Sequence, residues 1–301
     1  MVTPIEPSSV QPKRLTSIID TRSIVRQVAS EAFRGSCGRT IFDGERRIGT
    51  LYEASDATYC FFEEVVAADL TASRGNQTTQ IFETIERVLR TEGMDFGHLV
   101  RTWFYLDKIL EWYDDFNEAR TVFLEAREVL GQLVPASTGI GIPNRFGAPV
   151  VAGVLAIKPK EATVIEVPSP MQCPAIAYKS SFSRAVEVTR SGRRELYISG
   201  TASIEPGGET AHVGDTKAQI DLTMEVVAAI LQSRQMDWSH TTRAIAYIKH
   251  PKAAPLFAQY LCQHGLEKMP LTWMHADVCR DDLLFEIELD ARIIALAAHE
   301  R

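Results

Sequence analysis

The sequence predicts an α+β protein built from two copies of one unit, each a mixed sheet with helices on one face. The first indication is a repeat, because Met94–Tyr105 returns in the second half as Met236–Tyr247. The second is that the apolar run Val150–Ala156 matches Phe285–Ala291. Such a repeat is too long for a solenoid and is typical of a duplicated domain.

Each copy predicts the same order of elements. Apolar residues at helical spacing predict amphipathic helices over Gln77–Thr91 and Thr216–Ser233. A strand and a second helix follow, at Val100–Leu106 and Trp112–Leu130 in copy one and at Arg243–Lys249 and Ala253–His264 in copy two. The order β, α, β, α, β indicates a mixed sheet covered by helices on one side.

The link between the copies is predicted at Lys158–Pro174, where three prolines interrupt any regular pattern. We place the boundary near Val167, which gives an N-terminal domain over residues 1–166 and a C-terminal domain over residues 167–301. Since the copies differ in their closing strands, we expect the site in the second domain and none in the first.

Composition restricts the partner. The chain has 301 residues, 45% of them hydrophobic, and a net charge of −7 without a basic run. These values argue against a nucleic acid or membrane-surface partner and favour a small molecule. Without an apolar run near the ~18 residues that cross a bilayer, or the apolar core of a signal peptide, we expect a cytoplasmic protein.

Cofactor and metal motifs are not found in the sequence. The five cysteines are odd in number and lack the CxxC spacing of a zinc site, so we expect free thiols. No GxGxxG, Walker, HExxH or GxSxG pattern occurs. We therefore expect no zinc site, no nucleotide cofactor and no hydrolase triad.

The end of copy two is predicted to be a hairpin that turns at Asp281-Asp282. Alternation along its strands then places two sets of side chains on opposite faces. The apolar face holds Met274, Ala276, Val278, Phe285, Ile287, Leu289 and Ala291, and the other holds Trp273, His275, Asp277, Cys279, Glu286, Glu288 and Asp290. Because the matching strand of copy one is apolar or small on both faces, we favour a polar pocket over a solvated surface.

Glu286 is the strongest catalytic candidate in this row. Burial and the neighbouring Asp277 and Glu288 are expected to raise its pKa and make it a proton donor near neutral pH. A hydrated surface glutamate is the alternative. Cys279 is expected on the same face at ~7–8 Å, where it contacts the same ligand unless it is only a buried structural thiol.

Three segments carry a resemblance to a known family. The paired Arg-x3-Tyr strands and the ending Phe285-Glu286-Ile287-Glu288 resemble RidA/YjgF proteins, small trimeric α+β proteins. More specifically, the chain resembles the chorismatases, which are built from RidA-like units, in Tyr178–Ala185, Ser199–Ser203 and His275–Glu288. The resemblance covers roughly residues 55–295 and implies two RidA-like units in a pseudo-trimeric arrangement, with a third, degenerate element from Ser17–Glu53. It leaves a monomer and a small homo-oligomer open.

The resemblance implies that the chain cleaves chorismate to pyruvate and a cyclic acid without a cofactor. Glu286 is then the acid that protonates the enolpyruvyl methylene carbon. Arg184 is the first choice for a substrate carboxylate, with Arg243 and Lys249 as weaker candidates that ion pairing explains equally well. Two further residues, Tyr178 and Trp273, are expected to line the substrate site.

The product depends on two further positions. Gly200 and Cys279 match the type that releases 3-hydroxybenzoate through an epoxide-like intermediate, with Gly200 leaving room for the ring. A strand bulge is an equally good explanation of Gly200. The alternatives are a chorismate hydrolase that releases a dihydroxycyclohexadiene carboxylate, a RidA-like imine deaminase, and a non-catalytic metabolite-binding protein. Deamination is disfavoured because no arginine occurs between Leu261 and Cys279.

Overall fold

The computed structural model describes residues 20–33, 36–178, 180–190 and 192–294. One sheet contains β1 (Arg39–Asp43), β2 (Arg46–Glu53), β3 (Ala57–Val65), β4 (Leu99–Leu106), β5 (Ala136–Gly141) and β6 (Val150–Pro159). The other contains β7 (Thr163–Val167), β8 (Ala185–Arg190), β9 (Arg193–Ala202), β10 (Thr241–Ile248), β11 (Leu271–His275) and β12 (Phe285–Ile294). The α-helices are α1 (Thr21–Ala32), α2 (Arg74–Thr91), α3 (Tyr113–Glu125), α4 (Thr216–Ser233) and α5 (Ala254–Gln263). Within these ranges no helix has the length and apolar character needed to cross a bilayer.

The two sheets have the same topology. The first has the order β1-β2-β3-β6-β4-β5 and the second the corresponding order β7-β8-β9-β12-β10-β11. Parallel pairing joins β4 to β5 and β10 to β11, and the other neighbours are antiparallel. Helices α2 and α3 pack on one sheet, and α4 and α5 on the other. The predicted α+β class with two repeated mixed sheets is therefore confirmed.

The break between the sheets comes earlier than the predicted boundary. Strand β7, Thr163–Val167, pairs with β8 and so belongs to the second sheet. The segment placed in the linker is thus partly a strand, and the connection between sheets is limited to residues 160–162. The division into two domains at residues 166 and 167 stays a prediction, since pairing alone defines sheets and not independently folding units.

The predicted hairpin at Asp281-Asp282 is wrong. Strand β10 lies between β11 and β12, so Tyr247 pairs with Met274 on one side and with Glu286 on the other. Because Met274 and Glu286 both lie opposite Tyr247, they share a face, and the faces of β11 are inverted relative to the prediction. Trp273 packs under the helices, whereas Met274 lies in the core between the sheets. For β12 the predicted faces are correct.

Helix α1 covers the face of the first sheet that α2 and α3 leave open. Its apolar side chains, among them Val25, are buried in the core between the sheets. Gly153 permits this approach, since a Cβ there would lie 2.8 Å from Val25 Cγ2. The sequence predicted a third, degenerate element from residues 17–53. In its described part, α1 covers this face, whereas β1 and β2 extend the first sheet. Residues 17–19 of that segment lie outside the described ranges.

Candidate active site

A cavity lies where the two units meet. The edge of β5 contacts β9 through the Ser137 N–H, which donates to Ser199 Oγ at 2.8 Å, and the Gly200 N–H, which donates to Thr138 Oγ1 at 3.0 Å. Farther along, Gly141 and Asp277 exchange two backbone hydrogen bonds of 2.8 and 2.9 Å. The residues that line the cavity are Tyr113, Arg120, Ser137, Gly139, Ser180, Phe182, Arg184, Gly200, Ala202, Ile204, Cys279, Arg280, Leu283 and Glu286.

Glu286 is the acid of this cavity. It lies on β12 with 4% of its surface exposed, pointing away from the helices. Burial, followed by the negative charge of Glu288, raises the pKa of Glu286 to about 8, although the guanidinium of Arg101 opposes the rise. The expected causes are thus confirmed for burial and Glu288. At neutral pH the side chain is mostly protonated and can donate a proton.

Gly200 provides the space that Glu286 occupies. A Cβ at this position would lie 2.0 Å from Glu286 Oε1 and 3.2 Å from Thr138 Cγ2. The glycine also belongs to a β-bulge, in which Ser199 and Gly200 together lie opposite Glu288. Gly200 therefore lies in a bulge and is also closely approached by another group, as the two explanations expected. The group that approaches it is the Glu286 carboxyl, where the sequence analysis expected the ring of the ligand.

The same bulge occurs in the first unit with different residues. There Glu63 and Glu64 lie opposite Gly153 on β6. The two carboxylates accept hydrogen bonds from α1, Glu64 from Arg22 at 2.8 Å and Glu63 from Arg26 at 3.0 Å. Helix α1 therefore covers in the first unit the bulge that lines the cavity in the second.

Three arginines from different segments line the cavity. Arg120 comes from α3 of the first unit, Arg184 precedes β8, and Arg280 follows β11. Arg184 donates to the Cys173 carbonyl at 2.8 and 3.0 Å. The guanidinium groups of Arg184 and Arg120 lie 5.7 and 6.0 Å from the ring of Phe182. These contacts hold the guanidinium groups of Arg184 and Arg120 in place at the cavity. The cavity is therefore suited to a negatively charged ligand.

Cys279 lies in the same cavity as Glu286, as predicted, although the hairpin used to predict it is wrong. Burial, and then the charge of Glu286, raises the pKa of its thiol to about 12, while a hydrogen bond from Tyr113 opposes the rise. The thiol is therefore neutral at ordinary pH and does not act as a nucleophile. Its effect on a ligand is one of shape.

Other predicted site residues lie elsewhere. Arg243 is 2% exposed and donates to both Asp290 oxygens at 2.7 and 3.1 Å, so ion pairing explains it. Lys249 binds Asp281 at 2.7 Å, outside the cavity.

Trp273 packs against Phe257 at 5.0 Å between ring centroids and does not line the cavity. Tyr178 ends a short 3-10 helix, and its side chain lies outside the described part of the structure.

The first unit contributes residues that the sequence analysis did not identify. Tyr113 and Arg120 reach the cavity from α3, and Ser137 and Gly139 from β5. The cavity therefore contains residues of both units, while the expectation that the N-terminal domain has no active site of its own stays a prediction. No local signal marks these residues, because their role depends on how the two units pack together.

Known proteins resemble this chain both in structure and in sequence. A crystal structure of a chorismatase superposes with a TM-score of 0.67 at 21% identity, over 84% of this chain and 80% of that one, which shows a similar fold. A chorismatase from Streptomyces rapamycinicus is 26% identical over 234 residues, 70% of this chain and 68% of that protein. Residues 43–155 match the family model described as Chorismatase FkbO/Hyg5-like, N-terminal. The chain therefore resembles the chorismatases in sequence and in fold.

A second relative carries a more specific name. A 3-hydroxybenzoate synthase from Streptomyces hygroscopicus is 26% identical over 224 residues, 65% of this chain and 64% of that protein. The chain thus spans about two thirds of the length of the chorismatase-family relatives it matches. The matched family domain covers most of the first sheet and α3, whereas Glu286 and Gly200 lie in the second unit.

Proposed function

We propose that this protein is a chorismatase, which cleaves chorismate to pyruvate and a cyclic acid. The observation that supports the proposal is a carboxyl group with a pKa of about 8 in a cavity lined by three arginines. Chorismate carries two carboxylates and an enol ether, so it needs cations for binding and an acid for cleavage. The cavity combines these two requirements.

The proposed reaction begins with proton transfer from Glu286 to the methylene carbon of the enolpyruvyl group. The ether carbon becomes an oxocarbenium ion, and the bond between the ring and the ether oxygen then breaks. That oxygen leaves with the side chain as the carbonyl oxygen of pyruvate. Since a protonated acid is required at the start, the raised pKa of Glu286 matches its role.

The substrate carboxylates are proposed to bind the arginines. A guanidinium group can donate two parallel hydrogen bonds to one carboxylate. Arg184 is held by the Cys173 carbonyl and faces Phe182, so its position is fixed before the ligand enters. Arg120 and Arg280 approach from other segments, which allows the two carboxylates of one ligand to bind different cations.

The cyclic product is proposed to be 3-hydroxybenzoate. Formation of this product needs no added water. The neighbouring ring hydroxyl attacks the carbon that carries the ether and loses its proton, so that an epoxide forms as the bond to the side chain breaks. The epoxide bond to the original hydroxyl carbon then opens, the carbon that keeps the oxygen loses its proton, and the oxygen takes up a proton to give the phenol. Gly200 and Cys279, which favour this type by resemblance, lie in the same cavity. Hydrolysis to a dihydroxycyclohexadiene carboxylate is the alternative, in which water supplies the new hydroxyl.

The test is incubation of the purified protein with chorismate and identification of the products by liquid chromatography and mass spectrometry. Pyruvate with 3-hydroxybenzoate supports the full proposal. Pyruvate with the dihydroxycyclohexadiene acid supports chorismate cleavage and refutes the product. Unchanged chorismate refutes the activity, and imine substrates would be tested next.

Arg120→Met is expected to raise KM for chorismate by about tenfold to a hundredfold, because a charge-assisted hydrogen bond to a carboxylate is lost. Steady-state kinetics measures the effect. Arg127→Met is the matched control, since Arg127 lies just beyond α3 but pairs with Glu86 at 2.9 Å outside the cavity. Equal KM values for the two variants would contradict a binding role for Arg120.

Gly200→Ala is expected to lower kcat by about tenfold to a hundredfold, because the added methyl group must displace the Glu286 carboxyl. The comparison variant is Gly139→Ala in the same cavity, whose Cβ would lie 3.5 Å from Tyr113 in ordinary contact. We expect Gly139→Ala to retain most of its activity. A Gly200→Ala enzyme with unchanged kcat would show that Glu286 does not need this space.

A further inference from the structure

We propose that Glu288 is a positioning residue that keeps the proton on Glu286, with its own negative charge fixed by Arg101 and Arg243. This inference rests on the proposed function, in which Glu286 is the acid. Glu288 does not line the cavity and does not contact the ligand in this scheme. It acts only through its charge.

The geometry places the two glutamates side by side. Residues 286 and 288 alternate by two along β12, so their side chains leave the same face, about 7 Å apart along the strand. Glu288 has no exposed surface. Because little water separates the two carboxyl groups, a charge on one strongly disfavours a charge on the other.

The charge of Glu288 is held by both units. Arg101 of β4 donates to its Oε2 at 3.0 Å, and the Trp103 indole N–H donates to its Oε1 at 3.0 Å. Arg243 of β10 forms the second ion pair, also to Oε1. Burial raises the pKa of Glu288, but Arg243 and Arg101 outweigh it and hold that pKa below its usual value. Glu288 is therefore ionised when Glu286 is not.

Thr138 connects this pair to the bulge beside Glu286. Its hydroxyl accepts from Arg101 at 2.6 Å and from the Gly200 N–H at 3.0 Å, and it donates to Glu288. Strand β5 of the first unit thus binds Glu288 and fixes Gly200, which leaves space for the Glu286 carboxyl. The charge and the position of the acid depend on the same contacts.

The titratable groups around Glu286 provide no negative charge besides that of Glu288. From the strands, the loops and α3 they are Glu288, Arg101, Tyr105, Tyr247, Tyr113, Arg120, Arg184, Cys279 and Arg280. Burial raises the pKa values of Tyr105, Tyr247 and Cys279, so these groups are neutral. Among the described groups in this set, Glu288 alone is negative at neutral pH, and the arginines favour ionisation of Glu286.

The test compares two variants that break the same ion pair but shift the titration of Glu286 in opposite directions. Wild-type activity is expected to fall as pH rises through about 8, because Glu286 loses its proton there. In Glu288→Gln this fall should move to lower pH by about one unit or more. In Arg101→Gln it should move to higher pH, since a cation near the acid is removed. Glu288→Asp, which keeps the charge, should remain closest to wild type.

A second measurement does not depend on turnover. The infrared C=O band that is present in wild type and absent in Glu286→Gln reports the protonated acid, and its loss with pH gives the titration directly. Opposite shifts of this band in Glu288→Gln and Arg101→Gln support the inference, and equal titrations overturn it. If Glu288→Gln fails to fold, the double variant Arg101→Gln/Glu288→Gln is compared with Arg101→Gln, and a titration of the double variant that is not at lower pH overturns the inference. Wild-type protein that leaves chorismate unchanged refutes the proposed function instead, whatever the band does.

Discussion

Glu286→Gln is expected to lower kcat for chorismate cleavage by about 10²–10⁴-fold while the fold is retained. The amide has nearly the shape of the protonated acid but cannot release a proton to the enolpyruvyl carbon. Because Glu286 is already neutral at ordinary pH, the substitution changes little in the charge of the buried site. Pyruvate release under saturating chorismate measures the effect, and circular dichroism confirms the fold.

The matched control for Glu286→Gln is Glu195→Gln. Glu195 is also a buried carboxyl, 4% exposed, and burial raises its pKa, but it lies outside the cavity and pairs with Arg190 and Arg292. We expect the folded control to keep the kcat of wild type. If Glu286→Gln also kept that rate, proton donation would have to come from another group and the proposed mechanism would be abandoned.

Arg243→Met is expected to decrease the free energy of unfolding by about 3–5 kcal/mol, because it removes the cation that pairs with the buried Asp290 and one of the two cations that pair with Glu288. Arg243 binds both oxygens of Asp290 and also Glu288, and all three side chains are buried. Denaturant unfolding monitored by fluorescence measures the loss. This result would assign to Arg243 a structural role in place of the substrate contact expected from the sequence.

The comparison variant for Arg243 is Lys249→Met, the other weak candidate for a substrate cation. Lys249 pairs with the exposed Asp281, so water and salt screen the interaction and we expect a much smaller loss of stability. Normal stability combined with a raised KM in Arg243→Met would contradict our assignment, since it would mean that Arg243 contacts chorismate.

The sequence predicted the parts of the fold that depend on local pattern. The repeat and the amphipathic helices α2 and α4 were found from periodicity, and Glu286 was found because it stands at the place of Val151 in the first copy. Asp281-Asp282 does form a turn, with the Leu283 N–H donating to the Arg280 carbonyl at 3.2 Å, but the hairpin was wrong because β10 lies between β11 and β12 and pairs with both. Turn chemistry cannot reveal a strand that inserts from earlier in the chain.

The site itself could be predicted only in its second half. Arg184, Gly200 and Cys279 were found from the resemblance and line the cavity. Arg120 and Tyr113 were missed because on α3 they look like ordinary surface residues of an amphipathic helix. Their contribution depends on the contact between β5 and β9, which joins residues far apart in the chain.

The ion pair between Arg101 and Glu288 also determines when the protein can become active during synthesis. The two residues are 187 positions apart, so Glu288 emerges from the ribosome long after Arg101. Until then Arg101 and Trp103 lack the carboxylate that they bind in the finished protein. Contacts of such long range form late and slowly. The nascent first unit therefore completes no acid site, and the acid site first forms when β12 docks.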